Sequence, residues 1–182
     1  MKKPVVTIFG SSFSSEDDGD YKFAYNLGKN LAIKGYVICN GGYGGTMEAT
    51  ARGAHEAGGE SIGIIAEIFS REPNQFLTKI MRVKTHAERL LKLIEIGDAY
   101  IVLPGITGTL LEFVCVWEYM AKSLIKRKPL IAIGDFWKPV IETVCAESIK
   151  HNSTITAELV KTARNIDNCI EILERCRKNE TL

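Results

Sequence analysis

The sequence has almost no net charge. Lys and Arg number 23 against 22 Asp and Glu, leaving +1 over 182 residues. That excludes the basic surplus from which a nucleic-acid groove is built, and no nucleic-acid partner is expected. The cations Lys122, Lys126, Arg127 and Lys128 are grouped, but they fall at a predicted helix end, where they complement the dipole. No apolar run approaches the ~20 residues needed to cross a bilayer, so no membrane partner is expected. Behind Met1-Lys2-Lys3, the run Val5 to Phe9 is too short for the core of an export signal. The five cysteines (Cys39, Cys115, Cys145, Cys169 and Cys176) are odd in number and form no CxxC pair. The expectation is free thiols in a reducing cytoplasm. His55, His86 and His151 share no ligand spacing with each other or with the cysteines, so no metal is expected. Neither GxGxxG nor Gly-Lys-Ser/Thr occurs, which speaks against a conventional dehydrogenase and an ATPase. No cofactor is expected.

What is present is an ordinary globular composition, 46% apolar and 25% charged, in a chain long enough for one large core. Short apolar runs alternate with helical patterns. Strands are predicted at Val5–Phe9, Tyr36–Cys39, Ile62–Ile65, Ile80–Val83, Ala99–Leu103, Leu130–Ile133 and, as an edge, Leu159–Ala163. Helices are predicted over about Tyr21–Lys34, Thr46–Ala57, Thr85–Ile96 and Thr109–Ile125, then after Phe136, and finally through Arg175 with Asp167 as a possible cap. The third of these is expected to bury Leu90, Leu91, Leu93 and Ile94. The pattern predicts a single Rossmann-like, doubly wound parallel sheet with helices on both faces. It spans residues 1–178, with a frayed tail at 179–182. Residues 66–79 look like an irregular loop or flap.

Three small-residue loops join strands to helix N-termini, where ligands bind in such sheets. They are Gly10-Ser11-Ser12, then Gly41-Gly42-Tyr43-Gly44-Gly45-Thr46-Met47, then Pro104-Gly105-Ile106-Thr107-Gly108-Thr109. Unpaired helix amides make an anion site, and glycine lets the backbone approach a phosphate closely. Thr46 and Thr109 stand at expected cap positions. The first loop reads equally as a tight turn. Glu112 completes a Thr-x-x-Glu capping box with Thr109 as readily as it faces a ligand. Arg89, beside Glu88, reads on pattern alone as a surface ion pair.

The stretch Pro104-Gly105-Ile106-Thr107-Gly108-Thr109-Leu110-Leu111-Glu112 resembles the PGGxGTxxE signature of the Lonely Guy (LOG) family of nucleoside 5′-monophosphate phosphoribohydrolases. Many members of that family are labelled possible lysine decarboxylases. Asp98-Ala99-Tyr100-Ile101 is similar to the family's strand start, Arg89 falls on its arginine, and Phe9-Gly10-Ser11-Ser12 looks like its Cys-Gly-Ser-Ser segment. The second loop, with Met47, looks more like a sister branch that includes a molybdenum-cofactor carrier. The resemblance covers roughly residues 4–150. It departs at Ile106 (second glycine), Leu90 (lysine) and Leu111 (first of two glutamates).

The resemblance implies Arg89 and Glu112 as the catalytic pair. It implies a phosphate and nucleotide site made from Gly10, Ser11, Ser12, Gly41, Gly42, Gly44, Gly45, Thr46, Met47, Gly105, Ile106, Thr107, Gly108 and Thr109. The substrate is then a nucleoside monophosphate or similar phosphorylated small molecule, cleaved at its N-glycosidic bond. The alternative is a non-catalytic carrier of a phosphorylated ligand such as a nucleotide or the molybdenum cofactor. A decarboxylase needs a lysine in a pyridoxal phosphate context, and none stands out. The resemblance also implies a homodimer. Phe113, Val116, Trp117 and Met120, on the helix after the signature, suit either a dimer interface or the core beneath the sheet.

Overall fold

The structure, a computed structural model, describes residues 3–179. The elements run β1 (Val5–Phe9), α1 (Gly19–Ile33), β2 (Val37–Asn40), α2 (Thr46–Glu56), β3 (Ser61–Ala66), β4 (Lys79–Val83) and α3 (His86–Ile96). They continue with β5 (Ala99–Val102), α4 (Thr107–Ala121), β6 (Leu130–Ile133), α5 (Lys138–Lys150), α6 (Thr154–Glu158), β7 (Val160–Ala163) and α7 (Ile166–Asn179). Of the expected frayed tail, Asn179 belongs to α7, and the rest lies outside the described residues.

All seven strands are parallel, in the order β4-β3-β2-β1-β5-β6-β7. The central strands are apolar on both faces because each face meets a helical layer. On β1, Val6 and Ile8 point to the layer that includes α1, α2 and α7, whereas Val5 and Phe9 join α3 and α4 on the other side. The same alternation runs through β5, with Ala99 and Ile101 on one face and Tyr100 and Val102 on the other. Helices α1 and α2 touch backbone to backbone. A Cβ at Gly28 would sit 2.1 Å from the Thr50 carbonyl oxygen, and one at Gly53 would sit 2.0 Å from that of Tyr25.

Several expectations need correction. Leu91 is 46% exposed, because the buried stripe of α3 is Arg89, Leu93 and Ile94. The last helix is capped by Asn165, whose Oδ1 accepts from the Asn168 amide at 2.9 Å. Asp167 lies inside its first turn. The short α6 has too little periodicity to announce itself. Phe113, Val116, Trp117 and Met120 are all core under the sheet. Helix α4 begins at Thr107, two residues before Thr109, so Glu112 lies in its second turn and the Thr109 capping box does not form. Side-chain capping occurs instead on α3: Thr85 Oγ1 accepts from the Glu88 amide at 3.1 Å, and Glu88 Oε2 accepts from the amide of Lys84, just before the cap, at 2.9 Å. Glu88 is thereby occupied at the start of the helix and leaves Arg89 to another partner.

Candidate active site

The chain reverses its direction of travel across the sheet between β1 and β5, the place where doubly wound sheets open a crevice at their carboxyl ends. A cavity of about 270 Å³ lies there. The Gly10–Ser12 loop forms one wall and is tied to α2, since the Ser11 carbonyl accepts from both the amide (2.8 Å) and the hydroxyl (3.0 Å) of Thr46. Thr46 is therefore the first residue of α2 and braces the first loop, instead of capping its helix. Gly45 precedes it at φ +70°, where a Cβ would meet the Ser11 carbonyl oxygen at 2.3 Å; both conditions require glycine.

The rest of the second loop is held from within. Buried Asn40 accepts from the Gly42 amide at 2.8 Å and donates to the Met47 carbonyl at 2.9 Å. Asn74, from the irregular segment before β4, donates through its side chain to the carbonyls of Gly42 and Tyr43. Gly41 has a different reason to be glycine: a Cβ there would lie 1.5 Å from Nη2 of Arg89. The loop is shaped to admit that guanidinium.

Arg89 is 7% exposed. Its Nε donates to the Ile64 carbonyl at 2.9 Å, and its Nη2 points at Met47 Sδ at 3.7 Å. The guanidinium carbon stands 5.5 Å from the centroid of the Tyr43 ring. Its Nη1 pairs with Glu112 Oε1 at 3.6 Å, with the two side chains 8% and 13% exposed. Burial pushes the Glu112 carboxyl up to about 7, and the Arg89 charge offsets only part of that rise. A carboxyl poised near neutrality can exchange a proton at working pH, and such groups concentrate in functional clefts.

The third wall is the start of α4. Its first amides have no acceptor within their own helix and form the positive dipole end. Gly108 and Thr109 line the cavity there. Ile106, 60% exposed, is the N-cap residue with φ −101° and ψ −153°. That extended backbone needs no glycine, so the departure from the signature leaves the turn intact. Leu90 packs against the core, and Leu111 points outward at 46% exposure.

Of the residues singled out in the sequence, Gly10, Ser11, Ser12, Gly41, Met47, Arg89, Ile106, Gly108, Thr109 and Glu112 line the cavity. Gly42, Gly44, Gly45, Thr46, Gly105 and Thr107 are not among its lining residues. Gly105 packs on Thr109, where a Cβ would be 2.2 Å from Oγ1. Pattern reasoning missed Phe13, Tyr43, Phe69, Arg71 and His86, which also line it. The irregular stretch around Arg71 was the available signal for two of them, and Tyr43 lay inside a loop already selected. Among the described residues no three His, Cys, Asp or Glu are grouped to hold a metal, and no helix is long and apolar enough to cross a membrane.

A profile of the SLOG cluster4 family matches residues 3–167. The chain belongs to the SLOG cluster4 family. This SLOG cluster4 chain is 28% identical over 147 residues to a cytokinin riboside 5′-monophosphate phosphoribohydrolase of Rhodococcoides fascians, covering 76% of this chain and 73% of that protein. It is 22% identical over 185 residues to the pyrimidine/purine nucleotide 5′-monophosphate nucleosidase of Escherichia coli K12, covering 91% of this chain and 41% of that protein. Among solved structures, the molybdenum cofactor binding protein of Rippkaea orientalis superposes with a TM-score of 0.74 at 25% identity, covering 96% of this chain and 98% of that one. Relatives of this SLOG cluster4 chain thus include hydrolases of nucleotide glycosidic bonds, and its fold is shared with a cofactor-binding protein.

Proposed function

We propose that this protein is a nucleoside 5′-monophosphate phosphoribohydrolase: nucleotide and water give free base and ribose 5-phosphate. The observation that carries this reading is Glu112, a buried carboxyl held by Arg89 at the floor of a cleft whose rim offers unpaired helix amides. The 5′-phosphate binds at the start of α4 and against Ser11 and Ser12, as an anion does at a helix N-terminus. That anchorage fixes the ribose over Glu112, and positioning of this kind supplies a large part of the rate. As the glycosidic bond lengthens, positive charge grows on the ribose ring. The Glu112 carboxylate faces that charge and takes the proton of the attacking water. Arg89 is a positioning residue, since its fork is taken up by Glu112, Ile64 and Met47 and its task is to hold the carboxylate.

The test is to incubate the pure protein with AMP, CMP, GMP and IMP and to assay free base and ribose 5-phosphate. Turnover is expected, and Glu112→Gln is expected to lower kcat by about 10²–10⁴-fold, the range for a lost acid–base group. Because the ionised form is the active one, kcat/KM rises with pH and levels off above about 7. Turnover unchanged in Glu112→Gln would remove the mechanism.

A second reading rests on the likeness to the Rippkaea orientalis protein over nearly the whole chain: a carrier that holds a phosphorylated ligand without cleaving it. Tight binding of a nucleotide or of molybdenum cofactor with no product would favour it. We further propose that the protein works in the cytoplasm as a homodimer, closed through the outer faces of α4 and α5.

A further inference from the structure

On the reading above, ribose lies at Glu112 and phosphate at the start of α4, so the base must leave the sugar toward the remaining wall of the cavity. That wall has a direction. From Glu112 it passes to Arg89 at 3.6 Å, then to the Tyr43 ring at 5.5 Å. It continues to Phe69, edge-on to Tyr43 at 6.1 Å between centroids, and to His86, edge-on to Phe69 at 5.5 Å. An aromatic row leading away from Glu112 and Arg89 is a surface on which a flat heterocycle packs.

Arg71 joins this wall from the segment between β3 and β4. Among the described residues its guanidinium has no hydrogen-bond or ion-pair partner, in contrast to Arg89. The described lining of the cavity contains no Asp, Asn or Gln, and its one carboxylate, Glu112, is held by Arg89. On the base-facing wall Arg71 is thus an uncommitted donor-only group, whereas the Tyr43 hydroxyl already donates to the Ala66 carbonyl at 3.2 Å and Arg89 is held by Glu112 and Ile64.

We propose that Arg71 is a specificity-determining residue that selects nucleotides whose base is a 6-oxopurine. A guanidinium is donor-only and forked. The O6 and N7 atoms of hypoxanthine or guanine are two adjacent acceptors that match the fork, whereas adenine presents N7 beside an amino donor. Binding adenine in the same pose sets that amino group against the Arg71 N–H groups, donor against donor. A site built to hydrogen-bond one edge rejects the analogue that lacks it.

The decisive comparison is IMP against AMP, which differ only in the group at position 6 and the N1 proton it dictates. The wild-type protein is expected to favour IMP in kcat/KM by at least about tenfold, the discrimination typical of one bidentate base contact. Arg71→Gln and Arg71→Lys are expected to bring the ratio close to one. Lys keeps the charge but loses the fork, so a phosphate-binding role for Arg71 would instead spare Arg71→Lys and weaken both nucleotides alike in Arg71→Gln. Equal kcat/KM for IMP and AMP, or a preference that survives both substitutions, overturns the proposal while leaving the hydrolase reading intact. If neither nucleotide is cleaved, the hydrolase reading falls, and the Kd values for the two by calorimetry carry the same test. A tenfold tighter Kd for IMP that disappears in Arg71→Lys upholds the selectivity, and equal or absent binding overturns it. Arg71 is exposed on a connecting segment, so both variants are expected to keep the wild-type Tm.

Discussion

The burial that suits Glu112 to the chemistry proposed for it also costs stability. Its carboxyl titrates near 4.5 when unfolded and at about 7 in the folded cleft. Between those values the native state keeps the proton and the unfolded state has released it. Stability therefore falls as pH rises through this window, and the loss is complete above about 7. A shift of this size corresponds to up to about 3 kcal/mol. Glu112→Gln stays neutral throughout, so urea unfolding should find it more stable, relative to wild type, at pH 8 than at pH 4. An equal difference at both pH values would mean that Glu112 is not desolvated. Gly41 carries the matching prediction for Arg89. In Gly41→Ala the new methyl group would occupy the position of Nη2, so the guanidinium must leave and Glu112 loses its partner. Such a variant should keep its circular dichroism spectrum and lose about 10²-fold or more in kcat, as misplacing a positioned catalytic group does.

At the scale of elements, legibility followed the number of residues that share a constraint. The β6 strand, apolar on both faces and bounded by Pro129 and Gly134, could be placed at Leu130–Ile133 from sequence because nothing competes with burial there. The start of α4 could not. Thr109 and Glu112 satisfy a capping rule, yet the turn after Pro104 lets Ile106 take an extended backbone and begins the helix at Thr107. That shift of two residues turned Glu112 from a cap into a buried partner of Arg89, and only tertiary contact decides it. The glycines divide in the same way. Gly45 and Gly41 were visible as glycines of a phosphate-type loop, but the first serves a turn at φ +70° and the second makes room for Arg89. The wall made by Phe69, Arg71 and His86 was the least legible part, because they converge from an irregular segment and a helix start. The close seam between α1 and α2 gives a test at this scale. Gly28→Ala would place a methyl group 2.1 Å from the Thr50 carbonyl oxygen. Backbone cannot yield as a flexible side chain does, so the expected cost is about 1–3 kcal/mol of unfolding free energy. Gly35→Ala, at φ +83° with open space around it, isolates the backbone contribution, about 1 kcal/mol.

One of the two helical layers carries apolar side chains on its outer surface. Helix α5 runs for 13 residues with none of them buried. Leu111 and Val114 of α4, Phe136 just before α5, and Val144 and Ile149 of α5 all stand at least 36% exposed. The inward stripe of α4 is taken up by the sheet, the second of the two uses that the sequence left open for Phe113, Val116, Trp117 and Met120, so an interface on this helix would use the outward stripe. Apolar residues concentrated on two helices of one layer suit a second copy, and a two-fold axis would bring the same patch from each protomer together. A stable dimer of this kind needs roughly 800 Å² from each partner. Light scattering at micromolar concentration should therefore give about twice the 20.2 kDa chain mass. Leu111→Glu combined with Val144→Glu should halve that value while leaving far-ultraviolet circular dichroism unchanged, because neither side chain supports its own core. A wild-type protein that runs as a monomer would leave the face without this occupant.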